Sequence, residues 1–210
     1  MIEVIKSPTL GSTSHGFLGR AGGVSEGIFA SLNTGLGSTD DQAAVAENRA
    51  RIVATVLPGG SLTTAYQIHS PHVVMVNAPL TERPEGDALV TRAPGLLLGI
   101  LTADCAPVLF ADAEAGVVGA AHAGWKGALG GVTDATLKAM EALGARRAHI
   151  AAAIGPCIAR KSYEVDAGFV ANFTQADPAN ERFFMEGRAD HAWFDLEAYV
   201  AHRLHAAGLT

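Results

Sequence analysis

Three stretches of the chain repeat apolar residues at the three- and four-residue spacing of an amphipathic helix. Their apolar positions are Val45, Ile52, Val53 and Val56; Leu129, Val132, Leu137, Met140 and Leu143; and Leu196, Tyr199, Val200 and Leu204. Aspartates that can cap free backbone N–H groups precede the first stretch, at Asp40-Asp41, and the third, at Asp195. Glycines follow the second and third stretches, at Gly144 and Gly208, as is common at helix ends. The pattern predicts three helices.

Short apolar runs bounded by Gly, Asp or Pro lie between these helices and predict strands. They are Val73–Val76, Leu96–Leu101, Pro107–Phe110, Val117–His122 and His149–Ile154. Because the apolarity is continuous rather than alternating, we expect strands that are covered on both faces. Such strands among amphipathic helices predict a layered protein of α and β elements, forming one domain over residues 1–210. Periodicity leaves open whether the sheet is parallel or mixed.

Composition excludes several classes of protein. The 210 residues are 49% hydrophobic and 17% charged, which is enough apolar material for a full core and argues against a disordered chain. The net charge is −6 and no run of five basic residues occurs, so we expect no nucleic-acid partner. The longest apolar stretch is about a third of a membrane span. Two cysteines and an N-terminus without a signal-peptide core favour a cytoplasmic protein.

Three metal-ligating side chains stand at the ends of predicted strands. His69, Cys105 and His122 are separated by 36 and 17 residues, which is too wide for a structural zinc knuckle. One thiolate and two imidazoles suit a catalytic zinc site, where a fourth position stays open for water or substrate. The alternative is a packed free cysteine with two hydrogen-bonded histidines, and spacing alone does not decide between them. His72 and Cys157 compete for the same roles.

Two further groups carry candidate chemistry. Asp104 interrupts an otherwise apolar stretch, so we expect it to be buried with a partner that offsets its desolvation. Lys126 lies in a glycine-rich turn, Gly124 to Gly131, between a strand and a helix. This turn either binds an anion at the start of the helix or needs glycine for steric reasons.

Arg49 falls on the apolar face of the first predicted helix, between Val45 and Val53. An arginine there should have a buried partner or reach a pocket, unless its aliphatic stem packs flat with the charged head in water. A glycine-rich loop over Gly16 to Ser25 and the segment around Asn33 precede this helix and could contribute to the same pocket.

These segments together resemble one family, the YfiH-type or laccase-domain proteins, also called multicopper polyphenol oxidase-like proteins. The matching segments, in order, are His15-Gly16-Phe17, Arg20 to Ser25, Ser31-Leu32-Asn33, Asn48-Arg49, Gln67-Ile68-His69, Thr102 to Cys105, His122 to Gly127, Ile154-Gly155-Pro156 and Ser162 to Val165. The resemblance implies an α+β fold, a single domain of layered mixed β-sheets flanked by α-helices. It also implies Zn²⁺ held by His69, Cys105 and His122, with copper as a less suitable ion.

The family resemblance implies phosphorolysis of purine nucleosides, including methylthioadenosine, with adenosine deamination as a side activity. The substrates would be a purine nucleoside and phosphate, and the protein a monomer or homodimer without a membrane partner. In this hypothesis Asn33, Arg49 and Lys126 bind substrate, and Asp104, Cys105, His122 and Arg49 form the catalytic group, with Asp104 as a buried proton donor. Two departures weaken the match. Lys126 stands where the family usually has arginine. The chain ends at Thr210, before a cysteine-containing stretch and a Ser-Tyr-Arg-Arg segment that the family usually has, so we expect a truncated C-terminus.

Other functions remain open at this point. Cys105 and His122 are also the nucleophile and base that a cysteine hydrolase or amidase needs, including one that edits peptidoglycan precursors. A binding module without turnover is a third hypothesis. A copper-dependent phenol oxidase is disfavoured, because none of the eight histidines forms the His-x-His pairs that multicopper sites require.

Overall fold

A mixed five-stranded sheet lies at the centre of the computed structural model, which describes residues 1–209. The strands are β1 (Val4–Ile5), β2 (Phe17–Leu18), β3 (Ser61–Thr64), β4 (Val73–Met75), β5 (Ala88–Thr91), β6 (Leu96–Gly99), β7 (Ala106–Asp112), β8 (Val117–Ala123), β9 (Ala151–Ile154), β10 (Glu164–Asp166), β11 (Phe184–Glu186) and β12 (His191–Phe194). The α-helices are α1 (Gln42–Val56), α2 (Trp125–Gly130), α3 (Val132–Ala142), α4 (Ala167–Ala176) and α5 (Leu196–Ala206).

The central sheet has the strand order β4-β5-β8-β7-β9. Strands β4 and β5 are parallel, and the other neighbours are antiparallel. Smaller sheets surround it: β1 with β2, β3 parallel to β6, and β10-β12-β11. The α+β class with layered mixed sheets is confirmed. No helix within residues 1–209 is long and apolar enough to cross a bilayer.

The predicted helix ends are confirmed by their hydrogen bonds. Asp41 accepts from the N–H of Ala43 at the start of α1, and Asp195 accepts from the N–H of Ala198 at the start of α5. Gly144 and Gly208 have φ of 100° and 92°, the left-handed conformation that favours glycine at a helix end.

The single helix predicted over Leu129 to Leu143 is wrong. Gly131 adopts φ 90° and divides the segment into α2 and α3. A helical apolar stripe continues across the break, so periodicity does not reveal it. The strand predicted from His149 is also shorter, because a 3₁₀ turn ends at His149 and β9 begins at Ala151.

The main core lies on one face of the central sheet, where α3 and α5 pack. Ala88 and Val90 of β5 point into this core, and Leu89 between them points into a second cluster with Leu96 on the opposite face. Strand β5 is therefore covered on both faces, as its continuous apolarity predicts. Leu109 and Val118 are only half-buried, because they line a cleft.

This cleft has a volume of about 1230 Å³ and lies between the central sheet, the β3–β6 pair and the loop that contains β2. Its walls are mostly apolar, with Phe17, Leu98 and Leu109 among the residues that line them, and Arg49 reaches it from α1. Thr102 and Ala103, which lie within three residues of Cys105, also line the cleft.

Candidate metal centre

The topology of the central sheet brings three separate segments to one of its ends. Ala106, the first residue of β7, pairs with Ala123 near the end of β8, so Cys105 lies beside His122 and Gly124. Strand β4 runs parallel to β5 from Val73, which places the preceding loop with His69 at the same end. His69 and Cys105 lie just outside strands, and His122 lies near the end of β8. The three residues thus converge although they are far apart in the sequence.

His69, Cys105 and His122 form a cluster that could hold a metal ion. One ligand atom from each, a ring nitrogen or Sγ, lies within 4.8 Å of the others. The two imidazole rings meet edge to face, with centroids 4.9 Å apart and an interplanar angle of 73°. The convergence of these three residues that the family resemblance implies is therefore present in the structure.

The donor set fits a zinc ion. Zn–N and Zn–S bonds of about 2.0 and 2.3 Å put tetrahedral ligands roughly 3.3–3.7 Å apart, so the cluster needs a contraction of about 1 Å at its widest pair. His122 is buried, Cys105 is half-buried and His69 is exposed, which leaves the solvent side of the cluster accessible. Three protein ligands and an accessible side are the arrangement of catalytic rather than structural zinc sites.

The buried carboxylate of Asp87 contacts the cluster through His122. The sequence analysis did not identify this residue. It is fully buried, and its Oδ1 lies 2.8 Å from Nδ1 of His122. With Nδ1–H donating to this carboxylate, Nε2 of His122 carries the lone pair that a metal needs. The signal in the sequence is an aspartate directly before the apolar strand β5, in the position where a strand boundary usually has a polar residue.

Asp87 also shapes the loop that carries His69. Its carboxylate accepts hydrogen bonds from the backbone N–H groups of Ile68, His69 and Ser70 and from the Ser70 hydroxyl, at 2.7–3.1 Å. His69 has φ 60°, a left-handed conformation that is strained for a residue other than glycine. The hydrogen bonds to Asp87 keep the loop in this conformation, so one carboxylate orients two of the three ligands.

The ionisation of these groups follows from burial and hydrogen bonding. Burial disfavours the charged form of Asp87, but the hydrogen bonds from His122 and from residues 68–70 outweigh it and hold the pKa of Asp87 below its ordinary value. Burial lowers the pKa of His122 despite the attraction of Asp87, which favours the neutral imidazole that a metal requires. Burial, together with the Asp104 and Asp87 carboxylates, raises the pKa of Cys105; a bound cation reverses that preference.

Steric requirements account for two glycines of the turn after β8, and its binding of an anion stays a prediction. A Cβ atom at Gly124 would lie 2.9 Å from Sγ of Cys105 and 3.1 Å from Cδ2 of His69. A Cβ at Gly127 would lie 3.3 Å from the carbonyl oxygens of His122 and Ser70. Glycine is favoured at Gly124 because the Cys105 and His69 side chains pass close to the backbone, and at Gly127 because two backbone carbonyls do. Lys126 is exposed, with its Nζ 5.5 Å from the centre of the Trp125 ring, and its contact with substrate stays a prediction.

The expectation that Asp104 is buried is wrong. Its side chain is exposed, because the segment that joins β6 to β7 lies at the surface. The desolvation on which its role as a proton donor depended is absent.

Arg49 and Asn33, which we expect to bind substrate, differ in how many of their polar atoms already form hydrogen bonds within the protein. Arg49 reaches the cleft, as its place on the apolar face of α1 predicts, and donates to the Thr34 carbonyl and the Thr64 hydroxyl. The amide of Asn33 is already engaged with Ser38, Asp40 and the Gly35 N–H. Asn33 therefore shapes its own loop, and a direct substrate contact through its side chain stays a prediction.

The competing ligands lie outside the cluster. His72 is exposed at the start of β4 and is not part of the metal-ligating group found in residues 1–209. Cys157 is half-buried, and burial, with the negative charges of Glu197 and Asp195, raises the pKa of its thiol to about 11. It behaves as a packed thiol.

Comparison with known proteins identifies related chains. The family model described as multi-copper polyphenol oxidoreductase laccase matches residues 14–210. A protein of Deinococcus radiodurans named purine nucleoside phosphorylase is 45% identical over 209 residues, covering 99% of this chain and 80% of the relative. A Mycobacterium bovis protein of the same name is 41% identical over 192 residues, covering 90% of this chain and 76% of the relative. The crystal structure of YlmD from Geobacillus stearothermophilus superposes with a TM-score of 0.85 at 29% identity, covering 97% and 80% of the two chains.

Proposed function

The chain belongs to the family described as multi-copper polyphenol oxidoreductase laccase, and we propose that it is a zinc-dependent purine nucleoside phosphorylase. The observation that carries the proposal is the accessible His69–Cys105–His122 cluster, oriented by Asp87, together with a cleft that Thr102, Ala103 and Arg49 line. The relatives named purine nucleoside phosphorylase supply the substrate class. The need for a reduced Cys105 supports a reducing compartment such as the cytoplasm.

The reaction exchanges one bond at the anomeric carbon of the nucleoside. A phosphate oxygen forms a C–O bond, the C–N bond to the purine breaks, and its electron pair leaves with the base, which takes up a proton. Arg49 would bind the phosphate by charge-assisted hydrogen bonds. Bound zinc would supply Lewis acidity toward a substrate oxygen. His69, Cys105 and His122 would hold the ion, and Asp87 would fix the orientation of His122.

The finer activities rest on the family resemblance. We extend the proposal to methylthioadenosine as a phosphorolysis substrate, because the bond that breaks is the same. Adenosine deamination, in which water replaces the amino group at C6 and ammonia leaves, would use the same bound purine. We assign no proton-donating role to Asp104, since it is exposed.

A cysteine hydrolase is a second candidate that one observation favours. Asp87, His122 and Cys105 stand in the order of a carboxylate–imidazole–thiol triad, with the Asp87–His122 hydrogen bond in place. Two features favour the metal instead: His69 adds a third ligand to the same point, and burial raises the pKa of the Cys105 thiol.

The test is to measure metal content and activity together. X-ray fluorescence of the purified protein should show about one zinc per chain, and Cys105→Ala should lose the zinc and the phosphorolysis of adenosine and inosine. Cys157→Ala is the matched control and should keep both. If the metal-free protein cleaves nucleosides at the full rate, the zinc enzyme is excluded; if chelator leaves an amidase activity that Cys105→Ala abolishes, the hydrolase is correct.

A further inference from the structure

The segments that carry His69 and Cys105 leave the same pair of strands. Strands β3 and β6 are parallel, and their pairing ends with Thr64 opposite Gly99. The chain then reaches His69 five residues after Thr64 and Cys105 six residues after Gly99. Because both segments lie outside the strands beyond this point, other contacts must set the distance between these two ligands.

Gln67 joins the two segments just beyond the end of the strand pairing. Its Oε1 accepts from the N–H of Leu101 at 2.9 Å, and its Nε2 donates to the carbonyl of the same residue at 2.7 Å. A side-chain amide has one acceptor group and one donor group, so it can satisfy both backbone groups of a single residue. Because both hydrogen bonds go to Leu101, this clamp resists rotation of that residue as well as its displacement.

The segment from Leu101 to Cys105 has little packing to hold it in place. Residues 102–104 are exposed. A hydrogen bond of 2.8 Å from the Ile158 N–H to the Asp104 carbonyl holds the far end of the segment. Exposed backbone with few buried contacts opens at a low cost in free energy. The near end of the segment therefore depends on the clamp at Leu101.

Each pair of ligands in the cluster then has its own connection. The pairing of β7 with β8 sets Cys105 beside His122, and Asp87 joins His122 to the backbone of His69. The Gln67 clamp supplies the third connection, between the segments of His69 and Cys105. Metal sites need ligand distances within about 0.2 Å of their ordinary values. Loss of any one connection should therefore weaken binding of the ion.

We propose that Gln67 is a positioning residue of the metal centre, which sets the distance between His69 and Cys105 through its clamp on Leu101. The inference rests on the zinc centre of the proposed function, but it concerns metal affinity and does not depend on which reaction the centre carries out. Gln67 acts through the backbone and is not one of the three candidate ligands. Without its amide, the segment that ends at Cys105 would be free to move away from His69.

The experiment measures zinc affinity of the folded protein by competition with a chelating dye, and the visible spectrum after cobalt(II) replaces zinc. Gln67→Leu keeps a similar volume but removes both hydrogen bonds. We expect its zinc affinity to fall by about tenfold or more, and its cobalt spectrum, which reports coordination geometry, to change. Gln67→Asn keeps the amide on a shorter side chain, so its zinc affinity should fall between those of Gln67→Leu and the parent protein.

Gln42→Leu is the matched control. The Gln42 amide also bonds to the backbone, donating to the carbonyls of Ser38 and Asp40 at 3.3 and 3.2 Å, but it lies at the start of α1 and contributes nothing to the cluster. This variant should bind zinc and cobalt as the parent protein does.

Urea unfolding of the metal-free variants separates positioning from a purely structural role. Loss of the clamp should lower the free energy of unfolding in either case. Only a positioning role also lowers the zinc affinity of the folded protein and alters its cobalt spectrum. If Gln67→Leu does not fold, Gln67→Asn carries the comparison with the parent protein.

Phosphorolysis of adenosine and inosine by the parent protein separates this inference from the proposed function. If the parent binds zinc and cleaves nucleosides, but the Gln67 variants bind zinc as tightly as the parent does, the inference is overturned and the function stands. If the variants bind zinc more weakly and the parent cleaves no nucleoside, the proposed phosphorolysis fails and the positioning role stands. A parent protein that binds no zinc overturns both.

Discussion

At the scale of single residues, the carboxylate of Asp87 connects His122 to the backbone of the loop that carries His69. A carboxylate that accepts several N–H groups stays ionised although it is buried, and this charge orients the imidazole for metal binding. The same residue offsets the strained backbone of His69. Ligand position and loop conformation are thus coupled through one side chain.

Replacing Asp87 with asparagine tests this coupling. We expect Asp87→Asn to weaken zinc binding by about 10–100-fold, because the amide does not hold the His122 tautomer as a carboxylate does. Zinc affinity is measured by competition with a chelating dye. Asp190→Asn, which alters an exposed carboxylate far from the cluster in sequence, is the control. Equal affinities in the two variants would contradict the assignment.

The close passage of Gly124 past two ligands gives a second prediction at this scale. Gly124→Ala should reduce zinc occupancy, because its Cβ would lie 2.9 Å from the Cys105 sulfur. The measurement is zinc content by X-ray fluorescence on folded protein. Gly37→Ala is the matched control, since nothing lies within 4 Å of a Cβ at that glycine. Full zinc content in Gly124→Ala would show that the ligands can move aside.

The sequence predicts the three ligands better than the residue that supports them. His69, Cys105 and His122 stand out as candidates at strand ends, but only the family resemblance indicates that they form one metal site. Asp87 is not conspicuous, because an aspartate before a strand also serves as an ordinary boundary. Asp104 was misjudged because it lies between two apolar strands, and the sequence does not show that the turn joining them is exposed.

At the scale of secondary-structure elements, the turn between β7 and β8 depends on Asp112. This buried carboxylate accepts from the backbone N–H groups of Glu114 and Ala115 within the turn and of Arg146 from the segment after α3. It therefore connects a β-hairpin to the helical layer. Burial raises its pKa, but the three hydrogen bonds outweigh burial and hold the pKa of Asp112 below its ordinary value.

The depressed pKa predicts how stability depends on pH. As the pH falls, the unfolded chain takes up this proton first, so the stabilisation is present above the ordinary carboxyl pKa of about 3.9 and is lost as the pH falls through the lower folded value. Asp112→Asn should be less stable by about 1–3 kcal/mol near pH 7, because the NH₂ group that replaces one carboxylate oxygen cannot accept the hydrogen bonds made there. Urea unfolding from about pH 7 to pH 3 measures both proteins, and their difference should shrink in acid. A difference that does not depend on pH would contradict this role.

Helix ends were predictable because their signals are local. An aspartate cap or a left-handed glycine acts within a few residues, and Asp41, Asp195, Gly144 and Gly208 all do so as expected. Helix α4 was missed although Asp166 caps it and Phe169, Val170 and Phe173 give it an apolar face at helical spacing. Two-residue strands such as β1 are too short to produce a period.

At the scale of the whole molecule, an aromatic cluster joins the outer three-stranded sheet to the helices on the central sheet. Phe173 of α4 is fully buried, with its ring centre 4.7 Å from that of Phe194 and 4.9 Å from that of Tyr199. Because these rings come from α4, β12 and α5, the cluster connects α4 to a strand and a helix that follow it after β11.

Removing the central ring should destabilise the whole fold. We expect Phe173→Ala to lower the free energy of unfolding by about 3–5 kcal/mol, through lost burial and the cavity that remains. Phe173→Leu, which fills part of that volume, should lose less. Urea denaturation measures the loss, and zinc titration of the folded variants should show unchanged affinity. A small loss in Phe173→Ala would show that the cluster repacks.

The order of the strands and the position of the cleft could not be predicted from the sequence, for a physical reason. Apolar runs identify strands, but pairing such as β5 with β8 is decided by long-range packing that no local pattern records. The convergence of the ligands depends on that pairing, so a set of candidates became a site only when the topology was known.

The three candidate ligands, His69, Cys105 and His122, come from separate segments of the chain. They are 36 and 17 residues apart in the sequence. An ion held there would act as a removable cross-link, and binding to the native state alone would raise stability with the logarithm of free metal concentration. A cell short of the ion would then hold a population of this protein that opens more often at this end of the sheet. Proteases would degrade that population sooner, so the abundance of the protein would follow the supply of the metal without any dedicated regulator.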